Sequence, residues 1–201
     1  MTKFSRVVTR LVMIAALSVW LARALGYVGA PMSDGYRELA AQLHVEGDVV
    51  CWNALCPGKT LFDEAKRSSA NFPVVFSDNF GFEIQYSTQI NVQVANDGGT
   101  DLTPISVVSL RFAPDYLTLG EAVLWAGDPQ SVDRSTRIQL PWQKGMCFPT
   151  GVSAFFRGTT HRIQTTLPII AMVLQEPTRD SYCSSAEYVR WQGFAKRPFE
   201  D

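Results

Sequence analysis

The sequence predicts an α+β protein: two related units, each with short helices packed on an antiparallel sheet, behind an N-terminal apolar signal or anchor helix. Three observations carry this expectation. Leu11–Ala22 is an uncharged apolar run that follows the cations Lys3, Arg6 and Arg10. Ile90, Val92 and Val94 alternate with Gln89, Asn91 and Gln93, the period-two pattern of a half-buried strand. Two helix starts of the form Thr-x-x-acid, Thr60 to Asp63 and Thr118 to Glu121, are each followed later by a Pro-Ile strand, "PISVVSL" at Pro104 and "PIIAMVL" at Pro168. Similar spacing of the two pairs reads as repetition of one supersecondary unit; the alternative is two unrelated helix caps and two ordinary strands, since capping boxes are common. The implied boundaries are 1–30 for the leader, 31–114 for the first unit and 115–201 for the second.

The leader is read from its charge order. Basic residues, then an apolar run, then Ala22-Arg23-Ala24 match a secretory signal with a cleavage site after Ala24. An uncleaved anchor from Leu11 to about Ala30 is the rival reading; Trp20 then sits as an interfacial anchor and Arg23 snorkels to the interface. A buried core helix fits less well, because core helices seldom open with a basic tag. Either leading reading puts the rest of the chain outside the cytoplasm. The cysteines fit that compartment: Cys51, Cys56, Cys147 and Cys183 are an even set, as disulfides require. Four cysteines allow three pairings, and the sequence does not choose among them; keeping each bridge within one half favours Cys51–Cys56 and Cys147–Cys183.

Further elements follow in chain order. Pro31–Gly35 is a linker, and Tyr36–Leu43 has Leu39, Ala40 and Leu43 at helical spacing. The residues from Phe72 to Ala95 are strand-like, and Asn96-Asp97-Gly98-Gly99 turns the chain back into a strand at Pro104–Phe112. Thr118 as N-cap with Glu121 at the third helical position is a capping box, and Gly127 and Pro129 supply the stop. Five strand-like pieces come next, at Arg137–Leu140, Gly145–Phe148, Val152–Arg157, His161–Thr165 and Ile169–Leu174, before a closing "YVRWQGF".

The pattern Cys51, Trp52, Pro57, Gly58, Thr60, Ala65, with "LTLGEAVLWAGDP" and "WQGF" (Trp191–Phe194), resembles uncharacterised exported tandem-repeat proteins of Chloroflexota bacteria. The likeness covers most of the chain after the leader; Cys56 departs from the pattern of that group. More distantly, the same Pro-Gly-x-Thr and Thr-x-x-Glu-Ala segments resemble small outer-membrane assembly lipoproteins and the β-lactamase inhibitory protein. That resemblance implies helical pairs set against an antiparallel sheet, and protein–protein binding without catalysis.

Several chemistries are excluded or weakened. A net charge of -1 leaves no basic footprint for nucleic acid. "GKT" at Gly58–Thr60 ends like a phosphate loop, but the first glycine of that motif is replaced by Asn53, and Pro57 removes an amide donor. No nucleotide is therefore expected, and Pro57-Gly58 with Thr60 reads as a turn and a helix cap. Cys51 and Cys56 lack a second close cysteine pair, and His44 and His161 are far apart in sequence, so no metal or other cofactor is expected. A redox C-x-x-C is absent. "GVSAF" around Ser153 lacks the last glycine of a nucleophile elbow. Asp63, Glu64 and Glu121 are placed where the helix dipole favours acids, a simpler reading than a carboxylate pair.

The function expected from these residues is a non-catalytic extracytoplasmic interaction module or accessory subunit at the outer face of the membrane. It has a protein partner, and Trp142, Trp191 and Phe194 form a candidate contact surface. The alternative is a binder of a small ligand or envelope polymer on a concave sheet; a hydrolase using Ser153 ranks below both.

Overall fold

The computed structural model describes residues 33–133, 144–156, 163–177, 188–191 and 193. The leader, the strand expected at 137–140, His161, Cys183, Trp142 and Phe194 lie outside them.

The chain enters through helix α1 (Asp34–Gln42), whose N-cap Ser33 accepts a bond from the Tyr36 amide at 3.0 Å. Leu39 is buried, and so is Gly35, because a Cβ there would fall inside contact distance of the Tyr116 carbonyl oxygen. The helix stops at Leu43, where the chain turns into β1 (Leu43–Glu46) and β2 (Val49–Trp52), an antiparallel hairpin around Gly47 at φ +70. Sequence periodicity carries the helix on to Leu43 and does not reveal this hairpin. Four residues per strand offer too short a window for alternation to register.

Helix α2 (Phe62–Ser68) then leads into the meander β3 (Val74–Ser77), β4 (Gly81–Gln85), β5 (Ile90–Ala95) and β6 (Val107–Phe112). Helix α3 (Leu119–Ala126) precedes β7 (Ser131–Asp133), β8 (Lys144–Cys147), β9 (Val152–Phe156), β10 (Ile169–Gln175) and β11 (Tyr188–Arg190). Residues 163–165 are loop and turn, where a strand was expected. Strands β3 to β11 form one antiparallel sheet in the order β11-β7-β8-β9-β10-β6-β5-β4-β3. Its centre is the β6–β10 ladder, where Leu110 faces Met172 and Val108 faces Leu174.

Period two sorts the faces. Phe82, Ile84, Val92, Val94, Val108, Leu110, Met172, Leu174, Val152 and Ala154 are buried together in the core, along with Phe62 and Ala65 of α2 and Leu119 and Ala122 of α3. Across β4 to β6 the opposite face is polar: Arg111 donates to Gln93 at 3.0 Å and lies 3.8 Å from Glu83. The described residues of the unit from Ser33 onward thus set short helices on one side of a wide antiparallel sheet.

Matching bonds tie α2 and α3 to the sheet. The amides of Phe62 and Asp63 donate to the carbonyls of Thr103 and Asp101, and the Ile105 amide donates back to Thr60. Likewise Leu119 and Gly120 donate to Leu167 and Thr165, and Ile169 donates back to Leu117. Isolated bridges join Leu61 to Pro104 and Thr118 to Pro168. In these bridges it is Leu61 that pairs with Pro104, one residue beyond the Thr60 that the sequence pattern selects.

Candidate functional site

A cluster of exposed apolar side chains lies at one end of the sheet. Pro73 opens β3, and the Asp78 carboxylate closes the β3–β4 turn by accepting from the amides of Phe80 and Gly81 at 2.7 and 2.8 Å. The inner edge of β3 pairs with β4 (Val74 opposite Ile84, Phe76 opposite Glu83), with an irregularity at Val75. Its outer edge has no strand beside it among the described residues. All four residues of β3 are exposed: Val74 by 59%, Val75 by 60% and Phe76 by 51%. Phe80, at the turn, is 64% exposed. Soluble edge strands are usually blunted by Lys, by inward charges or by cover, and Val74–Ser77 contains no charged residue. Aromatic contacts anchor the base of the strand. Phe72 packs on Tyr86 with ring centroids 5.0 Å apart, and Tyr86 meets buried Trp52 edge-on at 4.7 Å.

The residues singled out from the sequence are distributed elsewhere. Cys51 and Cys56 form a disulfide, and Cys147 is also disulfide-bonded. Pairing of Cys183 lies outside the described residues. Thr60 is not a helix cap, which corrects the expectation for it. The N-cap of α2 is Leu61, which makes no side-chain cap bond, because carbonyls of the 101–103 loop already satisfy the first amides. The Thr60 hydroxyl instead accepts from the Cys56 amide and donates to the Ala54 carbonyl, both at 2.9 Å, so it ties the disulfide turn together. Asp63 sits in the first turn of α2 and pairs with Arg67 at 2.9 Å.

Thr118 and Glu121 form a full capping box, with the Glu121 carboxylate accepting from the Thr118 amide at 2.9 Å. The same carboxylate accepts from the Ser33 amide at 2.9 Å, so it also caps the approach to α1. Burial raises the Glu121 carboxyl, but the bonds from Ser33 and Thr118 outweigh it and hold the group below its ordinary value. Tyr116 is shifted upward by burial first and then by its bond to Glu38 at 2.6 Å. Both groups serve as struts between α1 and the α3 region.

Trp191 is half-buried against the core, its amide donating to the Gln130 carbonyl at 2.9 Å; Trp142 and Phe194 lie outside the described residues. Ser153 is buried in β9, and the cleft it lines with Cys147, Phe148 and Gln175 has no histidine among its described residues. Among the described residues, no helix is long and apolar enough to cross a membrane.

The exposed edge was missed in the sequence because "VVFS" reads as any short buried strand. Only the sheet order reveals that it is terminal. No family model, curated protein or solved structure matches this chain. The geometry itself defines an α+β protein with a wide antiparallel sheet whose terminal strand β3, among the described residues, is apolar, uncharged and paired on one side only.

Proposed function

We propose that this chain is a non-catalytic, extracytoplasmic interaction module at a membrane surface, and that it docks an extended segment of a partner protein along β3. The observation that carries the reading is the β3 edge. Among the described residues no strand pairs with its outer edge, which carries Val74, Val75 and Phe76, with Phe80 at the turn, all more than half exposed. Covering these four side chains contributes about 4–6 kcal/mol before the entropic costs of association. Main-chain pairing adds register. An alternating apolar strand of the partner is the chemistry that fits.

The export reading is supported by the basic, apolar start of the chain and by the disulfide bonding of Cys51, Cys56 and Cys147. Two related helix–sheet units are supported by the matching bonds that seat α2 and α3. In this reading the repeat builds one broad platform whose free end is the docking edge.

The test is recovery of partners from detergent-solubilised native membranes with the wild-type chain and with a Val74→Lys, Phe76→Lys variant. Both side chains are exposed, so the variant folds as the wild type does. The wild type is expected to retain a stoichiometric protein partner that the variant loses by at least about tenfold. Equal recovery by the two proteins contradicts the proposal.

A further inference from the structure

A second constellation stands apart from the docking edge, on the β1–β2 hairpin and the turn that follows it. His44 and Glu46 are two residues apart on β1 and so share a face. The ladder sets His44 opposite Cys51, which puts Cys51 on that face too. The turn through Asn53, at φ +50, then returns Cys56 so that its sulfur lies 3.5 Å from Glu46 Oε2. One ligand atom from each of His44, Glu46, Cys51 and Cys56 lies within 4.8 Å of all the others. Imidazole, carboxylate and two sulfurs are the donor types of a closed tetrahedral zinc site, in which neighbouring ligand atoms stand roughly 3.3–3.8 Å apart.

We propose that, with the Cys51–Cys56 bond reduced, this corner binds one zinc ion through Cys51, Cys56, His44 and Glu46. The disulfide and the metal are then alternative ways of closing the same turn. The step balances with a dithiol as reductant. The dithiol supplies two electrons and two protons to the sulfur–sulfur bond, becomes a disulfide itself and leaves two cysteine thiols. Zinc then displaces one proton from each thiol, and the two thiolates, the carboxylate and neutral imidazole complete the shell.

That complex carries one net negative charge, and the cation that answers it is already in place. Lys59 Nζ lies 3.6 Å from Glu46 Oε1 and donates to the Glu46 carbonyl. Oε2 faces the sulfur while Oε1 faces the ammonium, the arrangement of a monodentate ligand held by an outer partner. His44 and Glu46 are exposed and the cysteines are buried, so the ion and the reductant both enter from the solvent side of the hairpin.

The test uses the full chain, reduced with dithiothreitol, desalted anaerobically and titrated with Co2+ and then Zn2+. Alkylation mapping verifies that Cys51 and Cys56 are open. The reduced wild type is expected to take up one equivalent of Co2+ with a thiolate charge-transfer band that Zn2+ abolishes, and the oxidised chain to take up none. His44→Ala and Glu46→Gln are each expected to weaken Zn2+ binding by at least about tenfold. A Cys51→Ser, Cys56→Ser variant, reduced in the same way, is expected to bind none. Failure of the reduced wild type to bind overturns the proposal, as does full affinity in either single variant or binding by the double variant. A failed β3 docking test leaves this site untouched, and the converse holds, because the two rest on different strands.

Discussion

Replacing Thr60 by Val separates two accounts of the same residue. Thr60 is 8% exposed, and its hydroxyl accepts from the buried Cys56 amide and donates to the Ala54 carbonyl. Valine keeps the volume and removes both bonds. A buried amide left without an acceptor costs about 1–3 kcal/mol, and the lost bond to Ala54 adds about 0.5–1.5. The expected loss is therefore about 2–4 kcal/mol, a large share of the usual 5–15. Thr118→Val, at a part-buried cap, loses about 1 kcal/mol. Urea unfolding of the oxidised proteins reads the difference. With a slope of about 2 kcal/mol/M, the midpoint falls by roughly 1–2 M for Thr60→Val and by roughly 0.5 M for Thr118→Val. Thr60→Ser, which keeps the hydroxyl, stays near the wild type. If Thr60→Val proves no more damaging than Thr118→Val, Thr60 is only a helix cap and the turn-tying argument is wrong.

The remaining predictions concern the struts and the turn. Glu121 has its folded-state value below the ordinary 4.5, so the unfolded chain binds the proton more readily. The stability that its ionised form contributes is full above that ordinary value and is lost as pH falls through the lower folded value. Glu121→Gln should thus cost about 1–2 kcal/mol near neutrality and progressively less in acid; urea titrations at several pH values check it, and a gap independent of pH refutes it. Gly35→Ala pushes a methyl group into the Tyr116 carbonyl and should cost about 2 kcal/mol or more, seen as a fall of roughly 4–8 °C in Tm. An unchanged Tm means that α1 is not seated against Tyr116 as described. Removing the Cys51–Cys56 bridge by Cys51→Ala with Cys56→Ala frees a loop with a sequence separation of 5, which chain entropy values at about 2 kcal/mol. A urea midpoint equal to the wild type's would show that the turn is held without the bridge.

Much of the architecture was legible in the residues, and the reasons are physical. Ile90, Val92 and Val94 alternate over a long enough run to declare a strand, and Thr118 with Glu121 declares a helix start through bonds made within four residues. Where satisfaction comes from far along the chain, local patterns mislead. Thr60 and Asp63 mimic the later cap, yet the amides of α2 are met by Thr103 and Asp101, some forty positions on. His44 and Cys51 show no ligand spacing in sequence because the hairpin that unites them lies across only four residues of each strand. For the same reason the exposure of Val74 to Phe76 is a property of sheet order, which no local window contains.

The proposed docking edge is tested most directly by placing a photoreactive phenylalanine analogue at position 76 of the full chain and irradiating native membranes. The side chain there is half exposed on the free edge, within covalent reach of any strand that pairs with β3. A discrete adduct to a segment of a different protein is expected, mapped by mass spectrometry to an alternating apolar stretch. That adduct is expected to vanish when Val74→Lys is added. Adducts confined to this chain or to a second copy of it, or an adduct that survives Val74→Lys, would contradict the account.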